Sequence, residues 1–291
     1  MTPSTPLGTS PSTSLGTSPR VAEFRRLHES GCFVIPNPWD IGSARLLVNL
    51  GFPALATTSA GLAWSVGRRD NEISLEVALA HLRTIAACVG VPVNADFEDG
   101  FATEPEGVAA NVTAATATGI AGVSIEDSTG DKAAPLHDFV LAADRIRAAR
   151  RAIDESGTGV LLTGRSEGFI AGRPDLAETI RRLEAYAEAG ADCLYAPGVR
   201  SAADVAAIVR AVAPKPVNVL VGGDYFSVAQ LAEIGVRRIS VGGALARAAL
   251  TGFLNAAKEI AGQGTFTALS RTISVPELNG LFSGVGRHDA C

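Results

Sequence analysis

The sequence feature that most constrains the fold is an eightfold alternation of short apolar runs with longer stretches of helical spacing. The runs lie at 32–36, 53–58, 91–96, 121–126, 159–164, 192–196, 216–221 and 237–242. The stretches between them are rich in Ala, Leu, Arg and Glu, and they include 41–50, 104–118, 138–155, 174–189, 201–212 and 226–234. Several stretches end in Gly directly before the next run, as helices often do at their C-terminal caps.

This alternation predicts a closed parallel barrel. The apolar runs are continuous and do not alternate with polar residues, which is typical of strands in a parallel sheet covered on both faces. Eight strand–helix units in one chain of 291 residues favour a single TIM (β/α)8 barrel. An open, doubly wound sheet is the alternative, because periodicity does not distinguish an open sheet from a closed one.

The composition indicates a soluble protein that binds neither nucleic acid nor membranes. The formal net charge is -5 with no basic stripe, and no apolar run reaches the roughly 20 residues of a transmembrane helix. The four cysteines are scattered without a metal-binding spacing, so we expect reduced thiols in a cytoplasmic protein. They are Cys32, Cys88, Cys193 and Cys291.

The chain divides into three predicted segments. Residues 1–20 contain the near-repeat STPLGTSP and STSLGTSP, which is too poor in large apolar residues to fold and predicts a disordered tail. Residues 21–261 contain all eight units and form the predicted catalytic domain. Residues 262–291 follow the eighth helix, have no catalytic signature, and are predicted to form a helical extension.

Charged residues gather at the predicted carboxyl ends of strands three, four and five. These ends carry, in order, Asp96 and Glu98, Glu126 and Asp127, and Arg165 and Glu167. Because TIM-barrel chemistry takes place at the carboxyl ends of the strands, these side chains should converge on one rim. Like charges repel each other, so a hard cation such as Mg²⁺, held by oxygen ligands, would account for the cluster.

Each strand-end acid has an alternative role as a helix cap that binds backbone N–H groups. This alternative is strongest for Asp40, which follows strand one and directly precedes the helical stretch 41–50.

Four motifs, in the same order along the chain, resemble those of the phosphoenolpyruvate mutase/isocitrate lyase superfamily. They are PNPWDIGSARLLVNLGFPALATTSAGLA with a following GRRD, then VNADFEDGFA, GVSIEDS and LTGRSEGFIAGR. The resemblance implies a TIM barrel whose last helix is exchanged between paired subunits, and hence a homodimer or homotetramer. It also implies an enzyme that binds Mg²⁺, with Mn²⁺ as a substitute, and a 2-oxo or 2-hydroxy carboxylate substrate.

The resemblance also assigns roles to individual residues. Asp96 corresponds to a direct metal ligand, and Glu98 and Glu126 correspond to acids that hold the waters of the metal. Arg165 corresponds to the arginine that binds the substrate carboxylate, which a planar guanidinium can do through two hydrogen bonds. Asp70 in GRRD corresponds to another acid of the site. The remaining substrate-binding positions are Thr58, Ser59, Ala60, Gly61 and Asn218.

The loop after strand four departs from the pattern of the superfamily's lyase and mutase branches. It reads EDSTGDKAAPLHD, without the cysteine of the lyase branch, and strand six ends in YAPG, without the histidine of the mutase branch. Lys132 and His137 are the candidate proton carriers of this loop. As alternatives, Lys132 is an ordinary solvated residue of the loop, and His137 belongs to the segment that leads into the next helix. Residues 128–137 form either a lid that excludes water or an ordinary surface loop.

We therefore expect a Mg²⁺-dependent lyase or decarboxylase that acts on a C–C bond beside a 2-oxo or 2-hydroxy carboxylate through an enolpyruvate-like intermediate. A phosphonomutase or C–P hydrolase is the first alternative, and a non-catalytic barrel is the second. A Schiff-base aldolase is excluded, because Lys132, Lys215 and Lys258 all lie outside the predicted strands. Gly-Gly pairs after strands seven and eight leave a phosphate-binding barrel as a further alternative.

Overall fold

The computed structural model describes residues 18–283 and contains one eight-stranded parallel sheet. Its strands are β1 (Phe33–Ile35), β2 (Leu55–Ala56), β3 (Val93–Asp96), β4 (Gly122–Glu126), β5 (Leu161–Arg165), β6 (Cys193–Tyr195), β7 (Val217–Leu220) and β8 (Arg238–Ser240). All eight predicted strands are confirmed. Each is shorter than its apolar run, although β5 extends one residue beyond the predicted end, to Arg165.

The sheet closes on itself. The last strand, β8, pairs in parallel with β1, with Arg238 opposite Phe33. Across the remaining junction, between β1 and β2, the Ala56 N–H donates a hydrogen bond of 3.1 Å to the carbonyl of Pro36. A doubly wound sheet would leave its two edge strands apart, so this pairing establishes the TIM barrel and excludes the alternative.

Helices surround the barrel and follow its strands. They are α1 (Pro19–Glu29), α2 (Ile41–Asn49), α3 (Ser59–Ser65), α4 (Leu75–Cys88), α5 (Pro105–Thr116), α6 (Phe139–Ser156), α7 (Leu176–Glu188), α8 (Ala202–Ala211), α9 (Val228–Ile234), α10 (Ala244–Gln263) and α11 (Val275–Leu281), with a 3-10 turn at Thr267–Arg271. Every predicted helical stretch corresponds to one of these helices. Between β2 and β3 the chain forms two helices, α3 and α4, where the eightfold alternation requires one.

The first helix begins inside the segment predicted as a tail. The Ser18 hydroxyl accepts a hydrogen bond of 3.3 Å from the Val21 N–H, and Pro19 occupies the first helical position. A serine cap followed by proline favours a helix start, which moves the predicted boundary at residue 20 back to Ser18. The rest of the predicted tail, like Cys291, lies outside the described residues.

The two faces of the barrel wall differ in polarity. Phe97, Ile125 and Leu162 are buried in the main apolar core, between the sheet and the helices. Polar residues such as Asn94 and Ser124 face the opposite way and line a cavity inside the barrel. Because successive strand residues point to opposite faces, one strand can serve both environments. The polar interior leaves room for a ligand beneath the mouth.

Helix α10 is largely uncovered in this chain. Only Ala246 of its twenty residues is buried, whereas Leu250, Phe253 and Leu254 are exposed, Phe253 over 67% of its surface. Exchange of this helix between subunits stays a prediction. Within residues 18–283, no helix combines the length and the apolar content that crossing a bilayer requires.

Candidate active site

Three charged side chains meet at the carboxyl ends of β3, β4 and β5. Asp96, Glu126 and Arg165 are the last residues of these strands. The Nη1 atom of Arg165 lies 3.1 Å from the Oδ1 atom of Asp96 and 3.0 Å from the Oε2 atom of Glu126. Residues that lie about 70 positions apart in sequence therefore form one ion-pair cluster at the barrel mouth.

Further contacts fix the guanidinium of Arg165. Its Nε atom donates a hydrogen bond to Glu167, and its central carbon lies 5.3 Å from the centre of the Tyr195 ring. Burial opposes the charge of Arg165, but Glu126, Glu167 and Asp96 outweigh burial and raise the pKa of the guanidinium well above its usual range. Arg165 is therefore a permanent cation in the mouth.

Burial disfavours the charged forms of several acids at the mouth. Burial, and then the negative charge of the neighbouring Asp96, raise the pKa of Glu98 to about 8. Burial also raises the pKa of Glu126 and Glu167, although Arg165 acts in the opposite direction on both. The mouth contains more carboxylates than one arginine can neutralise.

This donor set suits a hard divalent cation. The Oε1 atom of Glu98 is buried without a hydrogen-bond partner, and carboxylate oxygens are the protein ligands that Mg²⁺ prefers. Within residues 18–283, however, no three acidic, histidine or cysteine side chains already surround one point as a metal-binding group. Arg165 lies between Asp96 and Glu126 and provides the positive charge that holds them together.

The turn after β2 positions Asp96. The Ser59 N–H and hydroxyl donate hydrogen bonds of 2.9 and 3.0 Å to the Oδ2 atom of Asp96, and the Asp96 N–H donates one of 2.9 Å to the Thr57 hydroxyl. The Thr58 hydroxyl accepts from the Gly61 N–H at 3.2 Å and so caps α3. The polar groups predicted to contact substrate therefore have partners within the chain.

The small residues of this turn divide into two groups. Thr58, Ser59 and Ala60 line the cavity inside the barrel. Gly61 faces the protein instead, because an added Cβ atom would lie 2.7 Å from the Thr58 methyl group and 2.9 Å from the Cβ atom of Trp39. Gly61 is required for packing at the start of α3.

The cavity has a volume of about 170 Å³ and reaches from the mouth into the barrel. Asn218 lies in its deeper part, where its amide donates a hydrogen bond of 2.9 Å to Ser240 and accepts one of 3.0 Å from Arg238. A larger cavity of about 620 Å³ lies outside the barrel, between residues 133–136 and the start of α7. None of the three strand-end residues lines it, so we place the candidate site in the smaller one.

Lys132 and Asp70 lie at the rim. Both are exposed, and they line a depression that also contains Glu126, Arg165 and Glu167. Loss of hydration, and then the charge of Asp96, raises the pKa of Asp70 although part of its surface remains in water. The loop that carries Lys132 is closed at its base by a bridge between Ser128 and Leu136.

Two candidate residues have other roles. Asp40 caps α2, accepting a hydrogen bond of 2.6 Å from the Ser43 N–H, which confirms the capping alternative. His137 is buried, does not line the cavity or the rim depression, and donates its backbone N–H to the Asp127 carbonyl at 2.8 Å.

Asp127 points away from the mouth. Its carboxylate accepts hydrogen bonds from the Glu167 N–H at 2.7 Å, the Tyr186 hydroxyl at 2.6 Å and Arg182 at 3.1 Å. These contacts anchor the segments after β4 and β5 to α7, so Asp127 stabilises the backbone around the site.

Sequence reasoning missed Arg145 on α6, which is 1% exposed. Its Nη1 atom donates to the Glu126 carbonyl at 3.2 Å, and its Nη2 atom donates to the carbonyls of Ala102, at 3.0 Å, and Asp99. Arg145 thus ties the end of β4 to the acidic loop after β3. The only available signal was an arginine within an amphipathic helical stretch, which does not distinguish a buried position from an exposed one.

The closed barrel, the charged residues at its mouth and its polar interior define a TIM-barrel protein with a candidate active site at the carboxyl ends of the strands. The family model for phosphoenolpyruvate phosphomutase matches residues 24–261. The chain therefore belongs to this family, which is part of the phosphoenolpyruvate mutase/isocitrate lyase superfamily.

Individual relatives agree with this membership. A provisionally assigned lyase/mutase from Burkholderia cenocepacia is 47% identical, with a TM-score of 0.87 over 91% of this chain and 95% of that one. An uncharacterized protein of Mycobacterium tuberculosis is 34% identical over 240 residues, covering 81% of this chain and 88% of its own. Oxaloacetate decarboxylase of Pseudomonas aeruginosa is 28% identical over 269 residues, covering 88% and 92%. A phosphonopyruvate hydrolase in complex with oxalate and Mg²⁺ is 25% identical, with a TM-score of 0.79 over 90% and 94%.

Proposed function

We propose that this chain is a Mg²⁺-dependent lyase or decarboxylase, also active with Mn²⁺, that breaks a C–C bond beside a 2-oxo or 2-hydroxy carboxylate. The observation that carries the proposal is the contact of Arg165 with both Asp96 and Glu126 at the mouth of a polar cavity. This arrangement places a guanidinium suited to a carboxylate beside oxygen ligands suited to a divalent ion. The relative named oxaloacetate decarboxylase supports the same reaction class.

Asp96 would bind the ion directly, and Glu98 and Glu126 would hold its waters. The bound ion would stabilise the negative charge that develops on the 2-oxo oxygen as the bond breaks. Ser59 prepares Asp96 for this role, because two hydrogen bonds to Oδ2 fix the carboxylate and leave Oδ1 facing Arg165. The phosphonopyruvate hydrolase in complex with oxalate and Mg²⁺ supports the choice of ion.

Arg165 would bind the substrate carboxylate next to the reacting carbonyl. Glu167 at Nε and the Tyr195 ring hold the plane of the guanidinium, so the substrate is oriented by a rigid group. Fixing the carboxylate keeps the breaking bond aligned with the carbonyl π-system, which allows an enolate of pyruvate to form. Thr58, Ala60 and Asn218 would line the remaining surface of the ligand.

We assign proton transfer to Lys132, with Asp70 beside it in the rim depression. Lys132 is carried by the loop 128–137, whose closure over the mouth would exclude water from the enolate. Lys132 would thus take the role of the cysteine that the loop lacks.

We also propose that α10 packs on a partner subunit in a homodimer or homotetramer. Leu250, Phe253 and Leu254 expose apolar surface that burial against a second chain would remove from water.

Pyruvate release from oxaloacetate and from substituted malates, with and without Mg²⁺, tests the proposed reaction. Arg165→Lys keeps the charge but loses the two-point contact, so kcat/KM should fall about 100- to 1000-fold. Arg147→Lys, at an exposed position on α6, is the matched control. If no such acid is cleaved with either ion, the lyase proposal fails. Phosphorus NMR with phosphonopyruvate then tests the hydrolase or mutase alternative.

A further inference from the structure

A second arginine lies inside the barrel, below the mouth. Arg238 on β8 is 3% exposed and lines the same cavity as Arg165. Its Nε atom donates to Asn218 at 3.0 Å, its Nη2 atom donates to Thr163 at 3.0 Å, and its Nη1 atom lies 3.4 Å from the Nε2 atom of His28. Asparagine and threonine are uncharged, and burial followed by the charge of Arg238 lowers the pKa of His28 to about 3, so His28 is neutral as well.

Arg238 is therefore a buried cation surrounded by neutral partners. Of the other buried arginines, Arg182 lies 3.1 Å from the carboxylate of Asp127 and Arg145 lies 4.0 Å from that of Asp99. Among the ion pairs of residues 18–283, by contrast, none includes Arg238. A cation removed from water without a counterion is unfavourable, so the position calls for an anion.

The geometry places this charge one layer of side chains below Arg165. Thr163 and Arg165 are two residues apart on β5, so they face the same side and lie about 6.6 Å apart along the strand. Arg238 contacts Thr163, and the cavity of about 170 Å³ reaches both arginines. The terminal carbons of a four-carbon diacid are roughly 4 Å apart, so its two carboxylates can face the two guanidinium groups.

We propose that Arg238 binds the second carboxylate of a dicarboxylate substrate and so selects diacids over monoacids. The inference rests on the proposed function, because Arg165 and the metal ligands must bind the first carboxylate. A guanidinium has five N–H groups, and the three contacts with Asn218, Thr163 and His28 leave two for a carboxylate. Asn218 is then a positioning residue whose amide orients Arg238.

Calorimetric titration with oxalate and with malate, each in the presence of Mg²⁺, tests the inference. Oxalate joins its two carboxylates by a single C–C bond and is too short to reach Arg238, whereas malate has the four-carbon length. Arg238→Met should leave the Kd of oxalate unchanged within about threefold and raise the Kd of malate about 10- to 100-fold. Arg238→Lys keeps the charge and should recover part of the malate affinity.

Two further variants serve as controls in case Arg238→Met has a folding defect. Arg237→Met changes the adjacent residue of the chain, whose side chain points to the other face and binds the Gly31 carbonyl; it should not alter either Kd. Thr163→Val removes one contact of Arg238 with little change in volume and should weaken malate more than oxalate, which keeps the inference testable if Arg238→Met does not fold.

The outcomes separate the inference from the proposed function. Equal changes in the oxalate and malate affinities, or no change in either, would overturn the role of Arg238 while the proposed reaction stands. Failure of the unmodified chain to bind oxalate with Mg²⁺ or Mn²⁺ would overturn the proposed function itself.

Discussion

Replacing Arg145 by methionine should weaken both the fold and the proposed metal site. Arg145 donates hydrogen bonds to the carbonyls of Glu126, Ala102 and Asp99. Glu98 lies in the loop that these contacts hold, and its φ of 46° is in the left-handed region that side chains other than glycine rarely adopt. A backbone of this shape depends on outside hydrogen bonds, so loss of the guanidinium should release the loop together with Glu98.

The expected loss in the free energy of unfolding is about 3–5 kcal/mol, the range for removing one partner from a buried charged contact. Hydrogen bonds from a charged donor contribute about 1.5–3 kcal/mol each, and three carbonyls lose their donor. Relief from burying the guanidinium offsets part of this sum, because burial already lowers the pKa of Arg145. Arg145→Lys should recover less than half, since one ammonium group does not span three carbonyls.

Urea denaturation measures the stability, and Mn²⁺ titration followed by electron paramagnetic resonance measures the metal site in the folded variant. We expect the Kd for Mn²⁺ to rise about 10- to 100-fold, as for other residues that orient metal ligands. Arg147→Met, at an exposed position of the same helix, is the control. A loss below about 1 kcal/mol with unchanged Mn²⁺ affinity would refute the idea that Arg145 holds the acidic loop.

Other perturbations test other parts of the barrel. The low pKa of His28, about 3, means that neutral His28 stabilises the fold above pH 6.5 and that this contribution is lost as the pH falls towards 3. When the pH falls from 7 to 5, the unmodified chain should therefore lose about 2 kcal/mol more of its free energy of unfolding than His28→Gln, as measured by urea denaturation. Equal losses in the two proteins would exclude His28 as the titrating group. Gly164→Ala would place a Cβ atom 2.8 Å from the Cβ atom of Tyr186 and should cost about 1–3 kcal/mol, measured in the same way; a neutral result would show that α7 can move aside. Phe253→Asp should lower the molecular mass in sedimentation equilibrium, and an unchanged mass would count against an interface through α10.

The barrel and the position of its mouth were predictable because both follow from local rules. Strand and helix periods are properties of short segments, and the carboxyl ends of parallel strands share one edge. These rules bring Asp96, Glu126 and Arg165 together without any knowledge of packing. The same rules do not choose hydrogen-bond partners, so they did not reveal that Ser59 binds Asp96 or that Thr58 caps α3.

The direction in which each side chain points was the second feature that the sequence pattern did not predict. Glu126 and Asp127 are adjacent, and successive strand residues point to opposite faces, so only one of the two can enter the mouth. The structure places Glu126 there and directs Asp127 to Tyr186 and Arg182. Arg237 and Arg238 pose the same problem, because a pair of identical residues gives no indication of which one faces the interior until the register with β1 and β7 is known.

The distribution of charge explains how so acidic a mouth could accept an anion. Burial raises the pKa of Glu98 and of Glu126, and within residues 18–283 Arg165 is the one cation that forms ion pairs with both Asp96 and Glu126. A carboxylate approaching this cluster without a cation would be repelled, whereas a dicarboxylate that enters with a divalent ion adds no net charge. Under the proposed function the ion and the diacid should therefore favour each other's binding. Arg238 would add to the affinity for the diacid, because it would attract the far carboxylate from below the mouth, where it forms no ion pair with any residue of 18–283.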